Sequence, residues 1–375
     1  MRRRFVSLFF CIFLILFSFP SYAIEKVGCL LPLSGNIKYF SLSFFNGLSI
    51  PLSEASIQTI VKDISSEDLQ KQLKELIQKD RVNLIVGPFL SMRVKTCVPI
   101  VEKYDVPLIT PFAPSSDIPG FSPLVFRFTF YPDDIRYLVD FAIEELYSED
   151  FMILCPDTAY GLELRIAFMD EVIKKEGHVV KIKIYKSKDM EYSSCIKQAF
   201  EVKDEGNFTY GCGVKFDTLF VAGNRKDLKK ILSLIAFYDI YPRAVLGNEG
   251  WNDSCIVSLP LGCTKNSYFI AGYYLDNKEE QNEHFVRKYK ELYGKNPTLF
   301  SALGYDIGKM IVEAKKCKTG NCIVDYLNSL QNRQGVTGKL VKFNNGDAEK
   351  IPFLLTIKNH KIVPIKSQLD IEKKE

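Results

Sequence analysis

The chain has 375 residues, 47% of them hydrophobic, a length that suits two domains better than one core. The 49 Lys and Arg against 45 Asp and Glu leave a net charge of only +4, which argues against nucleic acid as a partner. Three scattered histidines (His178, His284, His360) and the absence of any C-x-x-C pair argue against a zinc site.

The first residues read as an export signal. Arg2, Arg3 and Arg4 precede an apolar run from Phe5 to Phe19 and the small-residue stretch Pro20-Ser21-Tyr22-Ala23. The run is short for a transmembrane helix; the competing reading is an uncleaved anchor. Cleavage near Ala23 would leave 352 residues and lower the net charge to +1, because the leader holds three Arg and no acid. A lipid anchor fits poorly: Cys11 lies inside the apolar run, and Cys29 follows the charged Lys26.

Beyond the leader, strand-like and helix-like segments alternate. Val27–Leu31 and Ile57–Val61 read as strands, and Ser66–Lys79 as a helix with Leu69, Leu73, Leu76 and Ile77 on one face. Leu84–Val86 ends at Gly87-Pro88, Met92–Tyr104 is helical, and Val106–Ile109 is the next strand. Phe151–Leu154, Val179–Ile184, Thr218–Val221, Ala244–Leu246 and Tyr268–Ile270 continue the strand series, and the helix Leu162–Glu176 stops at Gly177. The alternation predicts α/β architecture with parallel sheets, in which ligands bind beyond the carboxyl ends of the strands. The tail from Ile371 to Glu375 reads as a frayed end.

Catalytic signatures are missing: there is no G-x-S-x-G, H-E-x-x-H or Walker loop, and Gly211-Cys212-Gly213 precedes a strand rather than following one. The expectation is a protein with no enzymatic activity and no cofactor. Loops after successive strands instead carry Ser91, Tyr160 and Glu249, residue types suited to a carboxylate, an apolar wall and an ammonium. Each alone reads as a cap or turn; their recurrence at one end of the sheets points to a binding site. Nine cysteines follow the leader, and export makes disulfides at Cys255/Cys263, Cys317/Cys322 and Cys195/Cys212 the expectation, with at least one thiol unpaired.

Several stretches resemble the type I periplasmic solute-binding proteins, in particular the branched-chain amino-acid (Leu/Ile/Val) class that serves ABC importers. These are GCLLPLSG at 28–35, DRVNLIVGPFLS at 80–91, VPLITPFAPSS at 106–116, Phe126-Arg127, DTAYG at 157–161, the Y-x-x-x-Y-G-x-x-P run with Gly304-Tyr305-Asp306, and VTGKLVKFNNGD at 336–347. They occur in family order over essentially the whole chain. The resemblance implies two Rossmann-like lobes joined by three crossovers: residues 24–130 and 273–330 in one, 131–272 and 331–375 in the other.

It also implies roles. Ser91 matches the carboxylate-binding Ser, Ala113 the residue that offers its backbone, Tyr160 the cleft tyrosine and Glu249 the ammonium partner. Phe40 takes the place of a first-loop aromatic and Asn224 that of a second-lobe aromatic. Pro114 replaces a carboxylate-binding Thr and has neither hydroxyl nor N–H, so Ser115 or Ser116 is the expected substitute. The implied function is capture of a small, amino-acid-like ligand in an interlobe cleft of a periplasmic protein, with hinge closure and docking on a membrane ABC permease. Two alternatives stand beside it. Trp251-Asn252-Asp253 resembles a segment of penicillin-binding protein activators, whose partner is a cell-wall synthase, and a ligand sensor uses the same fold.

Overall fold

Residues 24–65, 68–115, 117–130, 132–187, 191–205, 208–210, 212–317 and 319–365 are described by the computed structural model. The expected leader, Ser116, Gly211 and the tail from Ile371 lie outside the described residues.

The chain begins with β1 (Lys26–Leu31), α1 (Lys38–Glu54), β2 (Gln58–Asp63), α2 (Leu69–Gln78), β3 (Leu84–Val86), α3 (Ser91–Tyr104), β4 (Leu108–Thr110) and β5 (Val125–Arg127). These strands pair in parallel in the order β2-β1-β3-β4-β5. Every residue of β3, β4 and β5 is buried, which is why their sequences, apart from the terminal Thr110 and Arg127, are short continuous apolar runs rather than alternations. Asp68 caps α2 by accepting from the N–H groups of Gln70 and Lys71.

The second stretch holds α4 (Arg136–Glu144), β6 (Asp150–Pro156), α5 (Ala159–Lys174), β7 (His178–Tyr185), α6 (Tyr192–Phe200) and a small hairpin of β8 (Lys203–Glu205) and β9 (Phe208–Tyr210). It continues with β10 (Thr218–Val221), α7 (Arg225–Phe237), β11 (Ala244–Gly247), α8 (Ser254–Val257) and β12 (Ser267–Ala271). The parallel order is β7-β6-β10-β11-β12. Alternate residues of β6 feed two cores, as the period of two demands. Phe151, Ile153 and Cys155 pack with Leu164, Phe168 and Val172 of α5, while Met152 and Leu154 pack with Leu228, Ile231 and Leu232 of α7.

The chain then supplies α9 (Glu280–Tyr293), α10 (Leu299–Glu313), α11 (Gly320–Ser329), β13 (Gln331–Gly335), β14 (Gly338–Asn344), β15 (Asp347–Ile351), β16 (Phe353–Lys358) and β17 (Lys361–Pro364). β15 joins β5 in the first sheet; β16 and β17 extend the second sheet antiparallel beyond β12. α10 lies directly against α1. A Cβ on Gly47 would fall 1.8 Å from the Ser301 carbonyl, and one on Gly304 2.1 Å from the Phe44 carbonyl, so glycine is what permits this approach.

Two compact units result. Of the described residues, unit 1 comprises those up to Thr129, His284–Arg333 and Lys342–Glu349; unit 2 comprises Phe130–Glu283, Gln334–Val341 and those from Lys350 onward. Neither is continuous in sequence. No described helix is long and apolar enough to cross a membrane.

The expected disulfides are not formed: none of the nine described cysteines is bridged to another. Two of the thiols are directed at backbone oxygens in their own turns. Cys317 Sγ donates to the Cys322 carbonyl (3.1 Å) and Cys212 Sγ to that of Val214 (3.3 Å). Cys255 is exposed on α8.

Candidate ligand site

Unit 2 carries a pocket of about 60 Å³ lined by Phe130, Asp134, Tyr160, Leu164, Asn248, Glu249, Ile270, Ala271 and Gly272. At roughly 10–15 Å³ per water, this admits a few waters or one polar head group. Its floor is the loop after β11, set by two close approaches. A Cβ on Gly247 would meet the Trp251 indole at 2.2 Å, and one on Gly250 the Gly223 carbonyl at 2.0 Å. Trp251 is wholly buried and donates its indole N–H to the Val221 carbonyl (2.9 Å), which anchors the loop to β10.

Glu249 is held from both sides. Its Oε2 accepts from the Gly272 N–H (2.6 Å) and its Oε1 from Asn252 Nδ2 (3.1 Å), while Asn252 is itself tied to the Tyr273 carbonyl (2.7 Å). The carboxylate is enclosed, and loss of water pushes its pKa up to about 7 even though both hydrogen bonds pull it down. Among the described residues lining the pocket, none is cationic. A buried carboxylate without a positive partner is costly, and either a proton or a cationic guest relieves it.

Tyr160 stands in the first turn of α5, behind the Thr158 cap, which accepts from the Gly161 N–H (3.0 Å). The residue is 51% exposed, yet its hydroxyl reaches the Asn248 side chain. Loss of water raises that hydroxyl's pKa, the Asn248 contact opposes the rise and the Glu249 charge adds to it. Asn248 is buried and accepts from the Gly223 N–H (3.2 Å).

Unit 1 gathers Ser91, Ala113 and Ser115 at one corner. Ser91 opens α3, and its Oγ accepts from the Ser115 N–H (2.9 Å), leaving the hydroxyl hydrogen free to donate. Arg127 secures the corner from beneath. It forms a two-pronged ion pair with Asp347 (2.7 Å each) and donates through Nη1 to the carbonyls of Ala113 (3.1 Å) and Ser115 (3.0 Å). Beside the corner, Phe300 lies 4.6 Å from Phe40 and 6.4 Å from Phe112 between ring centroids.

Three expectations change in detail. The Ala113 N–H is committed to the Phe89 carbonyl (2.7 Å), so only its carbonyl retains a lone pair to offer. Ser115 does not replace the hydroxyl missing at Pro114, because its Oγ donates to Asp117 (2.6 Å). Asn224 does not line the pocket: its Oδ1 caps α7 through the N–H groups of Lys226 and Asp227, and its Nδ2 donates to Asp227 (2.8 Å). Trp251, Asn252 and Asp253 likewise serve the framework, as anchor, brace of Glu249 and cap of α8. Sequence reading did not single out Asn248 and Gly272 of the unit 2 pocket or Phe112 and Phe300 beside the unit 1 corner; Asn248, Gly272 and Phe112 follow strands, and Phe300 stands in the first turn of α10.

The sequence matches the profile described as periplasmic binding protein over residues 25–353. No curated protein matches it. Among solved structures, it resembles the branched-chain amino-acid transporter substrate-binding protein LivJ of Streptococcus pneumoniae, solved with isoleucine. That match has TM-score 0.66 and 21% identity and covers 90% of this chain and 97% of that one. A second is a branched-chain amino-acid ABC transporter protein of Rhodospirillum rubrum (TM-score 0.78, 19% identity, 91% and 99% covered). A third is a solute-binding protein of Rhodopseudomonas palustris in complex with 3,4-dihydroxybenzoic acid (TM-score 0.68, 17% identity, 91% and 96% covered). These likenesses place the fold as type I periplasmic binding. Since the profile runs from the residue before β1 to the first residue of β16, through both sheets and the glycine-spaced helix pair, the chain belongs to the periplasmic binding protein family.

Proposed function

We propose that this protein captures a small amino acid with an apolar or aromatic side chain for an ABC importer, outside the cytoplasmic membrane. The observation that carries the reading is the enclosed Glu249 carboxylate, satisfied only by neutral donors and lined by no cation among the described residues. Such a group calls for an ammonium. The Ser91 hydroxyl and the N-terminus of α3 suit the ligand's carboxylate. Phe40, Phe112 and Phe300 suit its side chain. No step in this role makes or breaks a covalent bond.

Solved relatives hold isoleucine in one case and 3,4-dihydroxybenzoate in another, and the second ligand has no ammonium. The two chemistries are separated by a thermal-shift panel of isoleucine, phenylalanine and benzoate on stripped, refolded protein, repeated on Glu249→Gln. A ligand at a hundredfold excess over its Kd adds about 2.7 kcal/mol of stability. An amino-acid shift that is lost in the variant supports the reading. A benzoate shift that survives in the variant, with none from the amino acids, overturns it.

A further inference from the structure

Lys350 of β15 is wholly buried, a rare state for a lysine, because an ammonium taken out of water must have its donors met. It donates to the Thr337 hydroxyl, itself buried, and lies 4.4 Å from the centroid of the Phe130 ring. The turn that carries Thr337 closes on β15 because the next residue is glycine. Gly338 has a φ of +82°, and a Cβ on it would fall 2.4 Å from the Ile351 carbonyl. A methionine would fill much the same space as Lys350 without the cost of burying a charge. The surroundings instead suit a cation, with a hydroxyl to accept from it and an aromatic face beneath it.

The three residues belong to three separate stretches of unit 2. Phe130 and Lys350 each open one, and Thr337 lies in Gln334–Val341. Phe130 and Lys350 also stand at matching places on two parallel strands. Arg127 of β5 is in register with Asp347 of β15 and paired with it, and three residues further along each chain come Phe130 and Lys350. The ion pair fastens these two stretches within unit 1, and the cation–π contact fastens them again at their first residues in unit 2. The Phe130 ring is at the same time a wall of the Glu249 pocket, whereas Lys350 does not line it. A group that holds Phe130 therefore shapes the pocket without touching what the pocket holds.

We propose, resting on the reading of this pocket as the ligand's, that Lys350 is a positioning residue for capture: its ammonium, gripped by Thr337, holds Phe130 in place as the pocket wall. The test compares ligand-free wild type with Lys350→Met by hydrogen exchange, then titrates isoleucine and benzoate into each by calorimetry. Exchange of the amides at 128–130 and 348–351 is expected to quicken about tenfold or more in the variant, the scale of a desolvated cation–π contact, while β6, β10 and β11 keep their rates. Phe130→Leu is expected to quicken the same amides, and the double variant to add nothing further, as one shared contact requires. Whichever of the two compounds the wild type takes is expected to bind Lys350→Met about tenfold more weakly. If Lys350→Met does not fold, Thr337→Val, which keeps the ammonium and removes its acceptor, carries the same expectations. Unchanged exchange at 128–130 overturns the proposal. So does a quickening spread evenly through unit 2, the mark of a purely structural lysine, or a local quickening with affinity unchanged. A wild type that binds neither compound removes the function proposed for the pocket, and the exchange result alone then decides whether Lys350 holds Phe130.

Discussion

Glu249→Gln isolates the charge at the centre of the unit 2 pocket. The folded carboxyl holds its proton up to about pH 7, against a usual value of 4.5. At 1.36 kcal/mol per pH unit, that displacement is worth about 3 kcal/mol. Below pH 4.5 both folded and unfolded chains carry the proton, and no penalty exists. Between 4.5 and 7 the unfolded chain has released it while the folded one has not, so stability falls as pH rises. Above 7 the full ~3 kcal/mol is lost. Glutamine has no charge and escapes this dependence. Its amide also faces the Asn252 amide, an offset that does not change with pH, so the slope is the quantity to read. The assay is urea unfolding at several pH values, followed by fluorescence of Trp251, the chain's single tryptophan, which is buried two residues from Glu249. The gap between wild type and variant is expected to shift by about 3 kcal/mol in the variant's favour from pH 4.5 to pH 8. Parallel curves would refute an enclosed, uncompensated carboxylate and remove the physical reason for an ammonium ligand.

The same proton competes with the guest, so amino-acid affinity measured by calorimetry falls about tenfold per pH unit below 7, while benzoate affinity does not follow it. Ser91→Ala costs about 1 kcal/mol of stability, because the Ser115 N–H loses its acceptor, and about tenfold in amino-acid affinity; unchanged affinity would take Ser91 out of the site. Arg127→Ala leaves Asp347 and two carbonyls without their donor in a buried setting and destabilises by about 3–5 kcal/mol in denaturant titrations; a loss under 1 kcal/mol would mean that Arg127 does not hold the corner. Gly304→Ala forces α10 away from α1 and lowers the melting temperature by the equivalent of about 1–3 kcal/mol or more; a neutral result would show that the helices part without strain.

Strands buried on both faces were legible because their runs have no alternation to confuse: Leu84–Val86 and Thr218–Val221 were read to the residue. Helices with a clear apolar face, such as α2 and α3, were found to within about three residues. α1 was not, since its mixture of Phe, Ser and Gly follows the close approach of α10 rather than a simple stripe. Among the expected site residues, Glu249 and Tyr160, each marked by a strand end, line the unit 2 pocket. Asn224 also follows a strand, but a post-strand Asn suits a helix cap as well as a ligand, and here it caps α7. Phe300 meets Phe40 in unit 1, and Asn248 meets Tyr160 in unit 2, by packing over long sequence separations, which no local pattern encodes. The cysteine spacings suggested bridges, yet spacing says nothing of where the thiols turn.

The clasp between Arg127 and Asp347 spans 220 residues of sequence. At about 5–20 residues per second, a growing chain has its Ser91 corner made some ten to forty seconds before the residue that locks it emerges. The corner of unit 1 must therefore wait for the last strand of its own sheet, and such long-range closure is slow once it begins. If the expected leader directs this chain across a membrane, that delay favours its passage, because a tightly closed domain would be too wide to thread through.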